Sequence, residues 1–277
     1  MAFVLVMAPL SRHLHDRPLF ERLGHVPQPE VLKAVSADQA QAVGAAMVMK
    51  VMIYFGGLSD ETMNRQKTPP DYPAMYRVIS GAVKLDPYNM DAYYFAQAVL
   101  VWDVRKVDLA NDLLDYGMKY RTWDWYLPFF AGFNNAYFLK DYVKAAEYYR
   151  SAGELSGSNL YKSLAGRYLQ ESGRTGLAIV YLSTLVKSEK NEAIRKSYEV
   201  RLKAYRVVQI IEQARDLFQV NHGRLPSTID ELIQERFLSA VPVDPYGGRF
   251  SLSPKGEVRT SSNFVFGRAK NDERKPE

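Results

Sequence analysis

Two groups of side chains have types and spacings that could do chemistry. His13 and His15 are separated by one residue, and Asp108, Asp112 and Asp115 recur at the three-to-four spacing that places residues on one face of a helix. Imidazoles and carboxylates in such groups can bind a metal ion or transfer protons. The sequence offers no third ligand at a suitable spacing from the two histidines, and acidic helix faces are usually solvated. We therefore expect neither group to form a site.

Other motifs of catalysis and cofactor binding are missing from the sequence. The chain has no cysteine, which excludes disulfides, cysteine-ligated zinc, iron–sulfur clusters and a thiol nucleophile. It has no glycine loop for phosphate, no serine elbow and no paired-histidine motif on a helix. Its net charge of +5 is small and dispersed, which argues against a nucleic-acid partner. We therefore expect a non-enzymatic protein without catalytic residues, cofactor or metal site.

Small residues recur along the chain with a helical-repeat period. Ala110, Ala145 and Ala178 are 35 and 33 residues apart, and a second series has almost the same spacing: Ala82, Gly117, Ala152 and Leu185. Two antiparallel helices approach closely only where side chains are small, so such residues must alternate with bulky ones. The period predicts stacked helical pairs.

The local sequence around these positions resembles the tetratricopeptide repeat (TPR), a helical pair of about 34 residues. The segment 140–155 is similar to the second helix of the repeat, with Ala145 facing the first helix. Gly166 matches the small position of the first helix, Gly173 the turn between the helices, and Pro87 the proline that ends a repeat. The resemblance implies a mainly α protein containing a right-handed α-solenoid.

The solenoid is expected to have about four helical hairpins over residues 37–188. Its first unit is irregular, with a helix at Ala37–Phe55, a proline-containing connection and a second helix at about 73–85. We expect the apolar face of the first helix to belong to the core: Ala42, Ala45, Met49, Met52 and Ile53.

The TPR resemblance also implies a partner-binding groove on the concave wall that the first helices form. The side chains that face this groove in the TPR register are Phe95, Val99, Trp102, Tyr126, Phe129, Phe133, Tyr137, Arg167 and Gln170. An aromatic groove with a polar end suits an apolar peptide or a partner helix. The alternative is that the chain's own N-terminal segment or its long C-terminal helix fills the groove.

That long helix is predicted over residues 189–220, where apolar residues keep a three-to-four spacing, and a stop follows at Asn221-His222-Gly223. Its apolar face is expected to consist of Ile194, Tyr198, Leu202, Tyr205, Val208, Ala214 and Leu217.

Residues 216–262 resemble the globular part of the type II secretion major pseudopilin. The matching residues are Gly223, Arg224, Pro226, Pro242, Asp244, Pro245, Tyr246 and Gly247. The resemblance implies a small α+β appendix with a β-hairpin, whose strands we expect at Phe250–Ser253 and Glu257–Thr260. In that family an apolar helix begins the chain, whereas here the equivalent helix is internal and charged. The ligands of the family's calcium site cannot be matched residue by residue, so calcium binding by the appendix stays open.

The appendix should also contain a short helix, and its apolar face is expected to consist of Ile229, Leu232, Ile233, Phe237, Leu238 and Val241. Residues 189–262 thus form one region, the long helix with the appendix, and residues 263–277 are expected to be a disordered tail.

The N-terminal segment, residues 1–36, begins with an apolar run at Ala2–Leu10. This run is shorter than a membrane span and lacks the basic start of a signal peptide. It is either the end of a signal or anchor that begins upstream, or a short element that docks on the solenoid.

Three functions fit these observations. The first is a scaffold of the cell envelope, membrane-anchored or periplasmic, that helps to assemble a secretion or pilus-like machine. The second is a cytoplasmic TPR adaptor without an envelope role. The third is an accessory subunit of an enzyme complex, which would require a buried titratable residue in a cleft beside the appendix. The identity of the partner and the oligomeric state stay open.

Overall fold

The computed structural model describes residues 23–59, 69–103 and 105–264, together with Met7, Pro9 and Leu10. The chain divides into two units, Met1–Lys140 and Asp141–Glu277. The described residues are mainly α-helical and contain one two-stranded antiparallel sheet, which confirms the predicted class. His13, His15 and residues 265–277 of the predicted tail lie outside the described residues, as does most of the apolar run at Ala2–Leu10.

The first unit consists of consecutive helices, each of which packs against the next. They are α1 (Pro29–Ser36), α2 (Ala40–Ser59), α3 (Tyr72–Leu85), α4 (Met90–Ala96) with a π-helical continuation at Gln97–Asp103, α5 (Val107–Met118), and α6 (Tyr126–Asn134) with a π-helical continuation at Asn135–Leu139.

Side-chain caps define where two of these helices begin. The Asp71 carboxylate accepts a hydrogen bond from the Ala74 N–H at 2.9 Å, and the Asn89 side chain accepts one from the Ala92 N–H at 3.3 Å. Each cap satisfies a backbone donor that lacks a partner within the first helical turn. The predicted helices at 37–55 and 73–85 are both present, although α2 continues to Ser59.

Small residues lie where the helices of the first unit meet, as their period predicts. Ala82 and Ala110 are fully buried. Gly117 shows how little space such a contact leaves, because a Cβ atom there would lie 2.7 Å from Cζ of Tyr93. A larger side chain at these positions would push two helices apart.

The predicted core face of α2 is wrong. Met49 and Ile53 are 56% and 66% exposed, and Ala42, Ala45 and Met52 are exposed with them. The opposite face, with Val48 and Val51, is the buried one. Because α2 is apolar on every side, the three-to-four pattern does not distinguish the packed face from the exposed one.

The helical run Pro29–Leu58 is long and apolar enough to cross a membrane, with a mean hydropathy of 1.4 over 18 residues. Only 28% of that window is buried. Core helices and signal sequences pass the same test, so the composition alone does not place this run in a bilayer.

The second unit also begins with helices that pack in sequence order. They are α7 (Tyr142–Ser156), α8 (Asn159–Glu171), α9 (Thr175–Ser188), the long α10 (Glu192–His222) and the short α11 (Ile229–Gln234), followed by the strands β1 (Phe250–Leu252) and β2 (Val258–Thr260). The strands pair in antiparallel fashion, with Phe250 opposite Thr260.

Small residues again mark the contacts between helices in this unit. Ala145, Ala152 and Ala178 are fully buried, and a Cβ atom at Gly166 would lie 3.4 Å from the Leu182 side chain. The turn between α8 and α9 contains Gly173 at a φ of 76°, a left-handed conformation that glycine adopts without a steric penalty. These positions confirm the sequence-derived placement of helices and turns.

Helix α10 is the element that two hydrophobic clusters share. Tyr198, Leu202 and Tyr205 pack with α9 near its start, whereas Ile211 and Phe218 pack with α11 near its end. The predicted long helix and its stop are confirmed, since Gly223 ends the helix at a φ of 69°. Leu217, expected on the buried face, is exposed, and its neighbour Phe218 is buried instead.

The appendix contains the predicted short helix and hairpin, and the strand bounds agree within one residue. Its core consists of Ile229, Leu232 and Leu238 packed on α10. Val241, predicted to join them, is exposed because the chain turns away into the proline-rich segment that follows.

A buried carboxylate connects that proline-rich segment to the end of the hairpin. Asp244 accepts hydrogen bonds from the hydroxyls of Thr260 and Ser262 and from the Tyr246 N–H at 2.9 Å. Burial raises the pKa of Asp244, but these hydrogen bonds, with one from the Gly248 N–H, outweigh burial and hold the pKa below its ordinary value. A Cβ atom at Gly248 would lie 2.6 Å from the same carboxylate, so this turn requires glycine.

We predict that Ala145→Leu lowers the free energy of unfolding by about 1–3 kcal/mol, because the added atoms overpack a fully buried contact. Urea denaturation followed by circular dichroism measures the change. Ala193→Leu, at an exposed position of α10, is the matched control and should be nearly neutral. Equal stability of the two variants would contradict the assignment of Ala145 to a helix contact.

We predict that Asp244→Asn destabilises the chain by about 1–3 kcal/mol at pH 7, because hydroxyl donors lose a charged acceptor. A carboxyl group with a depressed pKa in the folded state stabilises the fold above its unfolded pKa of about 3.9 and loses this contribution as pH falls through the folded pKa. The difference between wild type and Asp244→Asn should therefore shrink as pH falls below about 4. Urea titrations across this range, with the exposed Asp230→Asn as control, measure it, and a pH-independent difference would contradict this role.

Candidate functional site

The side chains that could bind a partner lie mainly on α4 and α6 of the first unit. Both helices end in a π-helical turn, Gln97–Asp103 and Asn135–Leu139. A π-turn hydrogen-bonds five residues apart and rotates all later side chains relative to an α-helix. Such turns often occur at functional sites, and here both lead into exposed aromatic residues.

Buried amide side chains lie where the π-turns begin. The Gln97 and Asn134 amides exchange hydrogen bonds at 2.7 and 2.8 Å, and Asn134 also donates to Asn111 Oδ1 at 2.8 Å. All three side chains are buried. This network joins α4, α5 and α6, and it holds α4 and α6 in a defined register because each amide fits only when its partners are in place.

One aromatic cluster lies beyond these amides and is called the Trp102 cluster here. It consists of Trp102, Phe133, Tyr137 and Phe138, with Lys140 beside it. The rings of Phe133 and Tyr137 stack at 5.5 Å, and Trp102 contacts Phe138 edge-on at 5.1 Å. Trp102 and Tyr137 are 57% and 56% exposed, so two large rings of this cluster face solvent.

A second aromatic cluster lies nearer the start of the two helices and is called the Tyr126 cluster here. Its members are Tyr94, Trp125, Tyr126, Phe129 and Phe130. Trp125 and Tyr126 stack at 3.8 Å, and Tyr94 meets Phe130 edge-on at 5.3 Å. Tyr94 and Tyr126 are the exposed members, while Phe129 and Phe130 are half-buried.

The structure brings together most of the groove residues predicted for the first unit, in two groups. Trp102, Phe133 and Tyr137 share the first cluster, and Tyr126 and Phe129 share the second. The two remaining residues lie elsewhere: Phe95 packs edge-on against Phe55 of α2 at 5.8 Å, and Val99 is 3% exposed. Val99 thus belongs to the core and offers little surface to a partner.

The π-turns account for both the misplaced and the missed residues. An α-helical register puts Val99 on the face of Phe95 and Trp102, but the π-turn that begins at Gln97 changes the spacing. Similarly, Phe138 is five residues from Phe133, a spacing that shares a face in a π-helix and not in an α-helix. A sequence pattern based on a 3.6-residue period cannot find such residues.

Arg167 and Gln170, the polar end of the predicted groove, lie in the second unit on α8. They line a cleft of about 760 Å³ with residues of α10 and of the hairpin, among them Glu212, Arg215, Glu257 and Arg259. The charges of the cleft pair with one another: Arg167 contacts Glu171 at 2.6 Å and Arg259 contacts Glu257 at 2.9 Å. Many charged groups of this polar cleft are therefore already paired with one another.

Glu212 is the half-buried titratable residue of this cleft. Burial raises its pKa above the ordinary value, although the Thr175 hydroxyl, which donates to Glu212 at 2.9 Å, and the nearby Arg215 oppose the shift. A carboxyl with a raised pKa can act as an acid or base. The described lining of the cleft contains no histidine, however, and the described part of the chain contains no group of three metal-ligating side chains.

Asp108, Asp112 and Asp115 lie on α5 as the spacing predicts, and Asp108 and Asp112 are exposed. This arrangement is that of a solvated helix face.

Comparison with known proteins adds no relative. No protein-family model matches the sequence, and neither the curated proteins nor the solved structures give a significant match. The TPR and pseudopilin resemblances therefore rest on the residues themselves.

We predict that Asn134→Ala lowers the free energy of unfolding by at least about 1–3 kcal/mol, because it leaves the buried Gln97 and Asn111 amides without a partner. Thermal and urea unfolding measure this loss. Combining Gln97→Met with Asn134→Leu should cost less than the sum of the single changes, since replacing both partners removes unpaired groups. Strict additivity would show that the two amides do not act together.

Proposed function

We propose that this chain is a non-enzymatic scaffold that binds a protein or peptide through the aromatic surface of α4 and α6. The observation that carries the proposal is the exposure of Trp102 and Tyr137 within a pre-packed ring cluster. Aromatic residues dominate the binding energy of protein interfaces, because large rigid rings bury much area at a small entropic cost.

The arrangement that we propose within each unit is a TPR-like right-handed α-solenoid, with α2–α3 and α4–α5 as hairpins of the first unit and α8–α9 as a hairpin of the second. Three features support it. Helices α4 and α6 begin 36 residues apart, at Met90 and Tyr126, and α8 and α10 begin 33 residues apart, at Asn159 and Glu192, close to the repeat length. Buried small residues recur at the predicted positions in both units, and α4 and α6 carry the aromatic side chains at corresponding places. In this arrangement, the first helices of the hairpins form the concave wall, and the partner lies along it.

We further propose a location in the cell envelope, membrane-anchored or periplasmic, and a role in assembling a secretion or pilus-like machine. The pseudopilin-like sequence of the appendix supports the role, and the apolar run Pro29–Leu58 supports membrane association. The other two functions, a cytoplasmic adaptor and an accessory subunit of an enzyme complex, have weaker support. The charges around Glu212 that pair with one another argue against a catalytic cleft.

Affinity capture with the full chain, followed by binding measurements on the captured partner, tests the proposal. Trp102→Ala should weaken binding by tenfold or more, roughly the loss expected when a hot-spot aromatic is truncated. Trp123→Ala is the matched control, because Trp123 is 60% exposed and belongs to neither cluster. Binding should survive in this variant.

Stability must be measured on the same variants. Since Trp102 is largely exposed, its truncation should lower the melting temperature little. A Trp102→Ala chain that binds as well as wild type would refute the proposed surface. A loss of binding in both tryptophan variants, without unfolding, would show that the contact with the partner extends beyond the two aromatic clusters.

A further inference from the structure

The exposed face of α2 has an apolar centre, with the exposed Gln41 and Lys50 at its edges. Its exposed centre consists of Ala42, Ala45, Ala46, Met49, Met52, Ile53 and Gly56. At 100° per residue, these positions cover an arc of about 120°, a third of the helix circumference. None carries a charge or a side-chain hydrogen-bonding group, and the stripe extends over about 21 Å along the helix.

The other half of α2 packs within the first unit. Val48, Val51 and Tyr54 are almost fully buried against the neighbouring helices, and the Tyr54 hydroxyl accepts a hydrogen bond from the Asp71 N–H at 3.0 Å. Lys50 lies at the border between the two halves, where its ammonium donates to the Leu23 carbonyl at 2.8 Å. The orientation of α2 is thus set by its inner half, so the outer stripe is held outward.

The composition of this stripe differs from that of a surface that meets a soluble partner. Interfaces between proteins that also exist apart are only a little more than half apolar and carry hydrogen-bonding groups. A helix that is apolar on almost every side occurs in a protein core or in a bilayer. Among the described residues, only 28% of the apolar window is buried, which argues against a core position for its outer face. The helix α1, which packs on α2, adds the exposed Val31 and Val35.

We infer that the outer stripe of α2 lies against the acyl-chain boundary of a lipid bilayer, with the helix in the plane of the membrane. In a free interfacial helix, a charged face keeps the helix from entering further. Here the folded unit on the inner side of α2 has that effect, since it cannot enter the hydrocarbon. The lysine at the border can reach the headgroup level, as long basic side chains do.

The chain before α2 is consistent with this placement. The apolar run at Ala2–Leu10 is joined to Leu23 by 12 residues, which span at most about 40 Å when fully extended. Leu23 is held beside the stripe through Lys50. If the run inserts into a bilayer, as the proposed envelope location implies, the stripe is kept within reach of the same surface at a high effective concentration. The inference rests on that location for its membrane.

Site-specific fluorescence on the full chain tests the inference. The sequence has no cysteine, so Met49→Cys and Ile53→Cys each offer a single site for a polarity-sensitive dye. Val180→Cys on α9 is the matched control, because Val180 and Ile53 are almost equally exposed, at 64% and 66%. The membrane is supplied as phosphatidylcholine vesicles, with and without an anionic lipid. Flotation of the same samples reports binding independently.

With vesicles, we expect blue-shifted emission from dyes at positions 49 and 53, quenched by lipids that carry a shallow quencher, and unchanged emission at position 180. Flotation of the unlabelled Met49→Asp/Ile53→Asp chain should be weaker than that of wild type by about tenfold, since the charges would enter the apolar boundary.

Three results would overturn the inference. Blue emission without vesicles would show that protein already covers the stripe, and its loss on dilution would identify a second copy as the cover. Flotation without a dye response at 49 and 53 would leave the envelope location intact and remove the stripe from the membrane. Absence of flotation would contradict both the inference and the proposed membrane association.

Discussion

The close approach of neighbouring helices is the constraint on which both units depend. Ala110 in the first unit and Ala145 and Ala178 in the second are fully buried. At Gly44 of α2, a Cβ atom would lie 3.3 Å from the Ala82 carbonyl oxygen of α3, so the two helices leave almost no room for a side chain there. Because large side chains cannot occupy such contacts, rings must lie beside them, as Tyr93 does against Gly117. The alternation of small and bulky residues in the core is therefore linked to the narrow contacts between helices.

The parts of the fold that follow from local chemistry could be predicted from the sequence. Small residues at a fixed period located the helix contacts, Gly173 and Gly223 located two turns, and prolines and glycines located the appendix and its hairpin. Each of these residues acts through its own size or backbone freedom, which does not depend on distant parts of the chain. Their identity alone therefore carries the information.

The predictions that were wrong concern residues whose burial depends on what they pack against. Met49 and Ile53 have the character of core residues, but no described part of the chain buries them on that side of α2. Leu217 and Phe218 are adjacent on α10, and Phe218 is the one that lies on the buried face. In both cases the residue types are compatible with either environment, so only tertiary packing decides between them.

The sequence predicts which helices carry the aromatic residues of the candidate surface, but it does not predict which of these residues share a face. The aromatic enrichment of α4 and α6 is plain in the sequence, yet the two π-turns shift which rings share a face. A π-turn has no simple sequence signature. In the structure, the buried amides of Gln97 and Asn134 lie where the two π-turns begin. The amide network holds the helix register on which the ring clusters depend.

The long helix α10 has a consequence for how the sequence can change. Its 31 residues belong to two cores, one around Tyr205 and one around Ile211, with the buried Val208 between them. Inserting one residue between these cores would turn one of them by about 100° around the helix axis relative to the other. The length of this segment should therefore vary among related proteins only by about seven residues at a time, two full helical turns, even where every side chain is free to change.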